Sequence, residues 1–138
     1  MANEYARNQK DYDLIDAAVS LPASATISYS DDFDLGLDTV KPEEMELEII
    51  VPTIPVSVLA DSATLKISIF NDSTASPTTC IAENVDTITG ATGTDPSVAR
   101  NIRYRIPSDA LRYLRVGFTL SAGNASATTY DASVYLCF

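Results

Sequence analysis

Carboxylates are the side chains in this sequence best placed to form a reactive site. Asp31, Asp32, Asp34 and Asp38 fall in one short stretch, and Glu44, Glu46 and Glu48 alternate a few residues later. Clustered carboxylates can hold calcium. The helix-loop-helix calcium loop, however, needs a Gly at its sixth position and a Glu at its twelfth, and no register here supplies both. The aspartates therefore read as a solvated acidic turn. Glutamates on alternate residues of a strand project on one face. Paired carboxylates can hydrolyse glycosides, but three like charges along one strand read better as an exposed or interface surface.

The chain has no histidine. That removes the Ser-His-Asp and Cys-His nucleophile systems and the usual zinc and iron sites. Its five glycines are not arranged as a phosphate-cradling loop. The expectation is a protein that is not an enzyme, with no catalytic residue, no cofactor and no metal.

Arginine is the second notable group. Five of the nine basic residues lie between Arg100 and Arg115. Residues 1–48 carry 12 acidic and 3 basic side chains, a net of −9, whereas 49–138 carry 7 and 6, a net of −1. The acidic third disfavours nucleic acid, which needs clustered positive charge. A two-ended charge distribution fits contact with a protein neighbour, including another copy of the chain, or serves solubility alone. Arg103, Arg105 and Arg115 fall opposite the apolar positions of their strands, with Arg112 in the corner between. They are expected either to form a basic patch against an acidic partner or to be solvated and paired within the chain.

The elements that must position these groups are strands. Met45, Leu47, Ile49 and Val51 alternate with glutamates, and Leu65, Ile67 and Ile69 with polar residues. Ile102, Tyr104 and Ile106 alternate with Asn101, Arg103 and Arg105. Leu114, Val116, Phe118 and Leu120 make another strand, as do Ala132, Val134, Leu136 and Phe138. Thr26–Tyr29 and Cys80–Ile88 give weaker signals, making seven in all. Turn residues separate them, around Pro52 and Pro55, from Thr89 to Pro96, and at Gly123-Asn124. Short strands with no sustained helical period predict a single all-β domain, a sandwich or barrel. The long connection between the third and fifth strands favours Greek-key or jelly-roll wiring.

Residues 1–25 read as an N-terminal arm, extended or with a helical turn near Asp13–Val19, and 26–138 as the β domain. At 138 residues the chain can bury roughly two-thirds of its unfolded surface. The start lacks the apolar core of a secretory leader, so synthesis in a cytosol is expected, and no apolar run is long enough for a membrane span. Cys80 and Cys137 fit no metal or redox spacing and read as two small buried hydrophobes rather than a disulfide. Asn71-Asp72-Ser73 and Asn124-Ala125-Ser126 match the glycosylation triplet and read as accidental.

A further pattern runs through the chain. After the polar arm come Ser30-Asp31-Asp32-Phe33-Asp34-Leu35-Gly36, then a Glu-rich strand into Val51-Pro52-Thr53-Ile54-Pro55, and then Leu59-Ala60-Asp61-Ser62-Ala63-Thr64-Leu65. Arg105-Ile106-Pro107-Ser108, Arg112-Tyr113-Leu114-Arg115-Val116 and Leu136-Cys137-Phe138 close the series. This order resembles the capsid cement, or decoration, proteins of tailed bacteriophages. The resemblance implies a jelly-roll structural protein of the virion, often a homotrimer. It implies placement on the outer surface of the capsid after synthesis in the host cytoplasm, with the major capsid protein and its own copies as partners, and neither nucleic acid nor membrane. It supplies no catalytic residues. The expected interface comprises the arm residues Tyr5, Arg7, Tyr12, Leu14 and Ile15, the acidic residues Asp31, Asp32, Asp34, Glu44, Glu46 and Glu48, and the basic residues Arg103, Arg105, Arg112 and Arg115. The alternatives are another phage virion β protein, at the head–tail junction or in a tail or fibre, and a carbohydrate-binding β-sandwich. The lack of any Trp weighs against the last.

Overall fold

The computed structural model of the chain describes residues 10–36, 45–93, 95–121 and 126–137, with 10–17 described in backbone only. Among these residues the regular structure is entirely β. The strands are β1 (Lys10–Ser20), β2 (Ile27–Tyr29), β3 (Phe33–Asp34), β4 (Glu46–Val51), β5 (Thr64–Asp72), β6 (Cys80–Thr89), β7 (Arg100–Arg105), β8 (Tyr113–Leu120) and β9 (Asp131–Cys137).

They form two antiparallel sheets. One runs β1-β9-β4-β7; the other runs β2-β8-β5-β6, with β3 also on β8. Ile27–Tyr29 and Phe33–Asp34 pair with successive stretches of β8, so β2 and β3 act as one interrupted strand. The β5–β6 hairpin stays within its sheet, whereas β1→β2, β3→β4, β4→β5, β6→β7, β7→β8 and β8→β9 all cross between sheets. That wiring is a jelly roll, the two-sheet Greek-key solution to unpaired strand edges.

Period-two alternation builds the core between the sheets. Leu47, Ile49, Val51, Val134 and Leu136 from one sheet meet Leu65, Ile67, Ile69, Leu114, Val116 and Phe118 from the other, all essentially inaccessible to solvent. Phe33 and Val19 close its margin. The buried Ser97 ties two connections together: its amide donates to the Ile54 carbonyl at 2.9 Å, and its Oγ accepts from the Ile54 amide at 3.0 Å. The buried Asn71 braces the corner before β8. Its Nδ2 donates to the carbonyls of Leu111 and Tyr113 at 3.0 and 2.7 Å, and its Oδ1 accepts from the Leu111 amide at 2.8 Å.

The sequence-based picture changes in two places, and a third residue fits it. Residues 10–20 of the expected arm are the first strand of the jelly roll, paired along β9, so the sandwich begins well before residue 26, and of the two conformations expected for the arm this stretch takes the extended one. Register breaks between Lys10 and Ile15 and between Asp16 and Val19 interrupt the alternation that would have disclosed a strand. Cys80, expected to be buried, is exposed, because it opens the edge strand β6; Cys137 is buried, and neither is in a disulfide. Asn71, the first residue of a glycosylation triplet, is buried with its amide nitrogen already donating twice.

Candidate functional site

Alternation in register assigns every strand residue to the core or to an outer face. On the four-stranded sheet, Glu48 lies between Arg103 and Tyr135, and Glu46 between Arg105 and Cys137. Opposite charges directly across a ladder attract. Arg103 uses both: Nη2 donates to Glu48 Oε2 at 2.8 Å and Nη1 to Glu46 Oε2 at 3.3 Å. The Glu48 side chain is only 6% exposed under this pair, while that of Arg103 is 45% exposed. Glu48 is therefore a buried anion held beneath a guanidinium rather than a free surface carboxylate. Arg105 is exposed on the same face. Ile15, on β1, stands opposite Tyr135 at the other side of this sheet.

The outer face of the five-stranded sheet has different chemistry. Tyr29 lies opposite Gly117, and Phe70 opposite Arg115. A Cβ on Gly117 would approach Phe70 Cε2 to 2.6 Å and Ile27 Cδ1 to 3.2 Å, so the bare glycine is what lets these side chains lie down over β8. Tyr29 and Phe70 meet edge to face, 5.4 Å between centroids at 79°, a favoured aromatic geometry. The Arg115 guanidinium sits 3.6 Å from the Tyr29 centroid, a close cation–π contact. Its Nε is shielded from solvent and has no hydrogen-bond acceptor. Ile27 and Tyr29 remain exposed.

At one end of this face Arg112 grips Asp34 with both arms of its fork, Nε to Oδ1 at 2.9 Å and Nη2 to Oδ2 at 2.8 Å. The hydrogen bond to Asp34 raises the Arg112 pKa further, and the guanidinium also lies 5.0 Å from the Tyr113 ring centroid. Asp34 additionally accepts the Gly36 amide at 3.0 Å. Asp32 Oδ2 accepts the Ser76 amide at 2.6 Å, tying the acidic turn to the β5–β6 loop. Asp72 holds that loop closed by accepting from the Thr78 and Thr79 amides and the Thr79 hydroxyl. These bonds, the Thr78 amide first, keep its carboxyl below its ordinary pKa.

The two sheets also approach along one flank. Arg100 Nε on β7 lies 3.9 Å from Asp86 Oδ2 on β6. Burial, reinforced by Cys80, pushes the Tyr104 phenol up.

Of the two expectations for the arginines, Arg103 and Arg112 follow pairing within the chain, and a patch on one outer face is divided between the sheets. Arg103 and Arg105 face out from one sheet, and Arg112 and Arg115 from the other. Asp31 is exposed beside the acidic turn. Tyr12, Leu14 and Ile15 fall on β1 in backbone only, and Tyr5, Arg7, Asp38 and Glu44 lie outside the described residues. The sequence reading missed Ile27, Tyr29 and Phe70. All three fall at alternation positions opposite the core, which is the signal that would have found them.

Fold and surface together define a jelly-roll β-sandwich whose polar and aromatic groups face outward from both sheets. No protein-family model matches the chain, and no curated protein does. Among solved structures it is similar to a xylan-binding module, CBM15, at 16% identity and TM-score 0.41, over 99% of this chain and 92% of that one. It is also similar to a Family 16 Carbohydrate Binding Module-2, at 10% identity and TM-score 0.34, over 84% and 70%. A third is a chain of the infectious bursal disease virus Gx strain, at 15% identity and TM-score 0.33, over 89% of this chain and 30% of that one.

Proposed function

We propose that this chain is a non-catalytic structural protein of a virus particle, a cement that binds and stabilises the major capsid protein lattice of a tailed phage head. One observation carries the reading: contact chemistry faces outward from both sheets instead of converging on one cleft. The four-stranded sheet presents a Glu–Arg ladder and the five-stranded sheet an arginine–aromatic cluster. Tyr, Phe and Arg are enriched at protein interfaces, and a body with contact groups on two opposed faces is suited to joining neighbours. Repeated over a lattice, modest contacts add to large stabilisation. Five of the carboxylates are engaged within the chain: Glu46 and Glu48 by Arg103, Asp34 by Arg112, and Asp32 and Asp72 by backbone amides.

A second reading, a carbohydrate-binding module, draws on the exposed Tyr29 beside Phe70. The two rings stand nearly perpendicular and Arg115 covers one face of Tyr29, so they offer no continuous flat platform for a sugar. Light scattering of purified chain, alone and mixed with expanded phage heads lacking it, separates the readings. Saturable addition to heads is the expected result. Indifference to heads with retention on a polysaccharide would replace the cement reading with the second.

A further inference from the structure

We propose that Arg115 is the centre of a carboxylate-accepting contact site on the outer face of the five-stranded sheet, and that its occupant is an acidic side chain of a partner protein. The inference deepens the contact reading above by naming the surface and the chemistry it recognises.

Three observations converge. Arg115 differs from its neighbours in having no anion. Arg103 is held by Glu46 and Glu48, Arg112 by Asp34 and Arg100 by Asp86, whereas Arg115 has no carboxylate among the described residues. Two carboxylates of this face are committed: Asp72, two positions along β5 from Phe70, closes the Thr78–Thr79 turn, and Asp34 grips Arg112. Second, Arg115 Nε is shielded from water without an acceptor. A buried donor left unsatisfied is costly, and an anion at the remaining guanidinium nitrogens offsets part of that cost. Third, the guanidinium is oriented by its stack on Tyr29, whose ring meets Phe70 edge to face, and Phe70 lies directly across the ladder from Arg115. A cation stacked on an exposed aromatic is a common interface anchor, and the guanidinium fork matches a carboxylate in bidentate geometry.

Charge selects the occupant. A chain of net charge −10 repels polyanions, so a lone guanidinium is poorly suited to a nucleic-acid backbone. A single Asp or Glu set among aliphatic side chains matches both the cation and the aromatic ring it stacks on. A uronic acid shares the carboxylate, but the perpendicular rings favour the protein source.

The test requires no phage heads, so it fails or succeeds independently of the cement reading. In nitrogen-15-labelled protein at mildly acidic pH, the Arg115 Nε–H resonance is assigned by its loss in Arg115→Lys. It is then followed during titration with acetyl-Val-Glu-Val-amide, with the Gln analogue, and with a galacturonate trimer. The expected result is a saturable shift with the Glu peptide, about tenfold tighter than with the Gln peptide, as suits a charge-assisted hydrogen bond. Phe70→Ala should weaken it while the rest of the spectrum stays folded. Equal response to Glu and Gln peptides, no response to either, or tighter binding of the galacturonate trimer would overturn the proposal.

Discussion

Removing the Arg103 side chain tests the outer face of the four-stranded sheet. In Arg103→Ala the nearly buried Glu48 carboxylate loses the guanidinium that covers it at 2.8 Å. Stripping one partner from a fully buried ion pair costs roughly 3–5 kcal/mol. Here Arg103 is 45% exposed, so solvent screens its end of the pair and water can reach the vacated space. The expected loss is about 1–2 kcal/mol, read as a fall in Tm of roughly 3–8 °C or as a lower urea midpoint at unchanged slope. Adding Glu48→Gln to Arg103→Ala should restore part of the loss, because the uncovered charge is then gone. A stability for Arg103→Ala within about 0.5 kcal/mol of wild type, the range of inert surface changes, would show that Glu48 does not depend on this arginine.

Gly90→Ala should destabilise the fold by about 3 kcal/mol, since a Cβ there collides with the backbone carbonyl of Ala60 where Asp61 bridges Gly90; chemical denaturation reads it. Asn71→Ala should cost about 2–3 kcal/mol and loosen the corner before β8, seen as faster hydrogen exchange at Leu111. Asp72 has a folded pKa below its ordinary value of 3.8, so it stabilises the fold above that value and its contribution fades as pH falls towards the folded pKa. The stability gap between wild type and Asp72→Asn should accordingly narrow in acid, and a gap constant with pH would refute the assignment. Deleting residues 1–20 should yield insoluble or unfolded protein, because it bares the β9 edge and the core beside Val19.

Much of the fold was legible where alternation was clean. Leu47, Ile49 and Val51 against the glutamates, and Leu114 to Leu120 against Tyr113 to Thr119, gave β4 and β8 with their faces. β1 was hidden because it is an irregular edge strand bearing Asp11, Asp13 and Asp16. Such charges protect an edge from unwanted pairing and disguise it as a solvated arm. β3 is only two residues long, too short for any periodic signal. The site was less legible, because long-range pairing decides it. Arg103 and Arg115 both oppose apolar positions, yet they belong to different sheets and face opposite sides. Glu48 was read as part of an exposed or interface surface, and its neighbours across the ladder, Arg103 among them, bury it. Tyr29 meets Arg115 only because β2 returns to pair with β8.

Electron cryomicroscopy of expanded phage heads incubated with the purified chain tests the central claim most directly. The account predicts ordered jelly-roll density at fixed positions on the outer capsid surface, with both outer faces of the sandwich touching neighbouring subunits and Arg115 within hydrogen-bonding reach of a carboxylate. Heads that remain bare at saturating protein would contradict it.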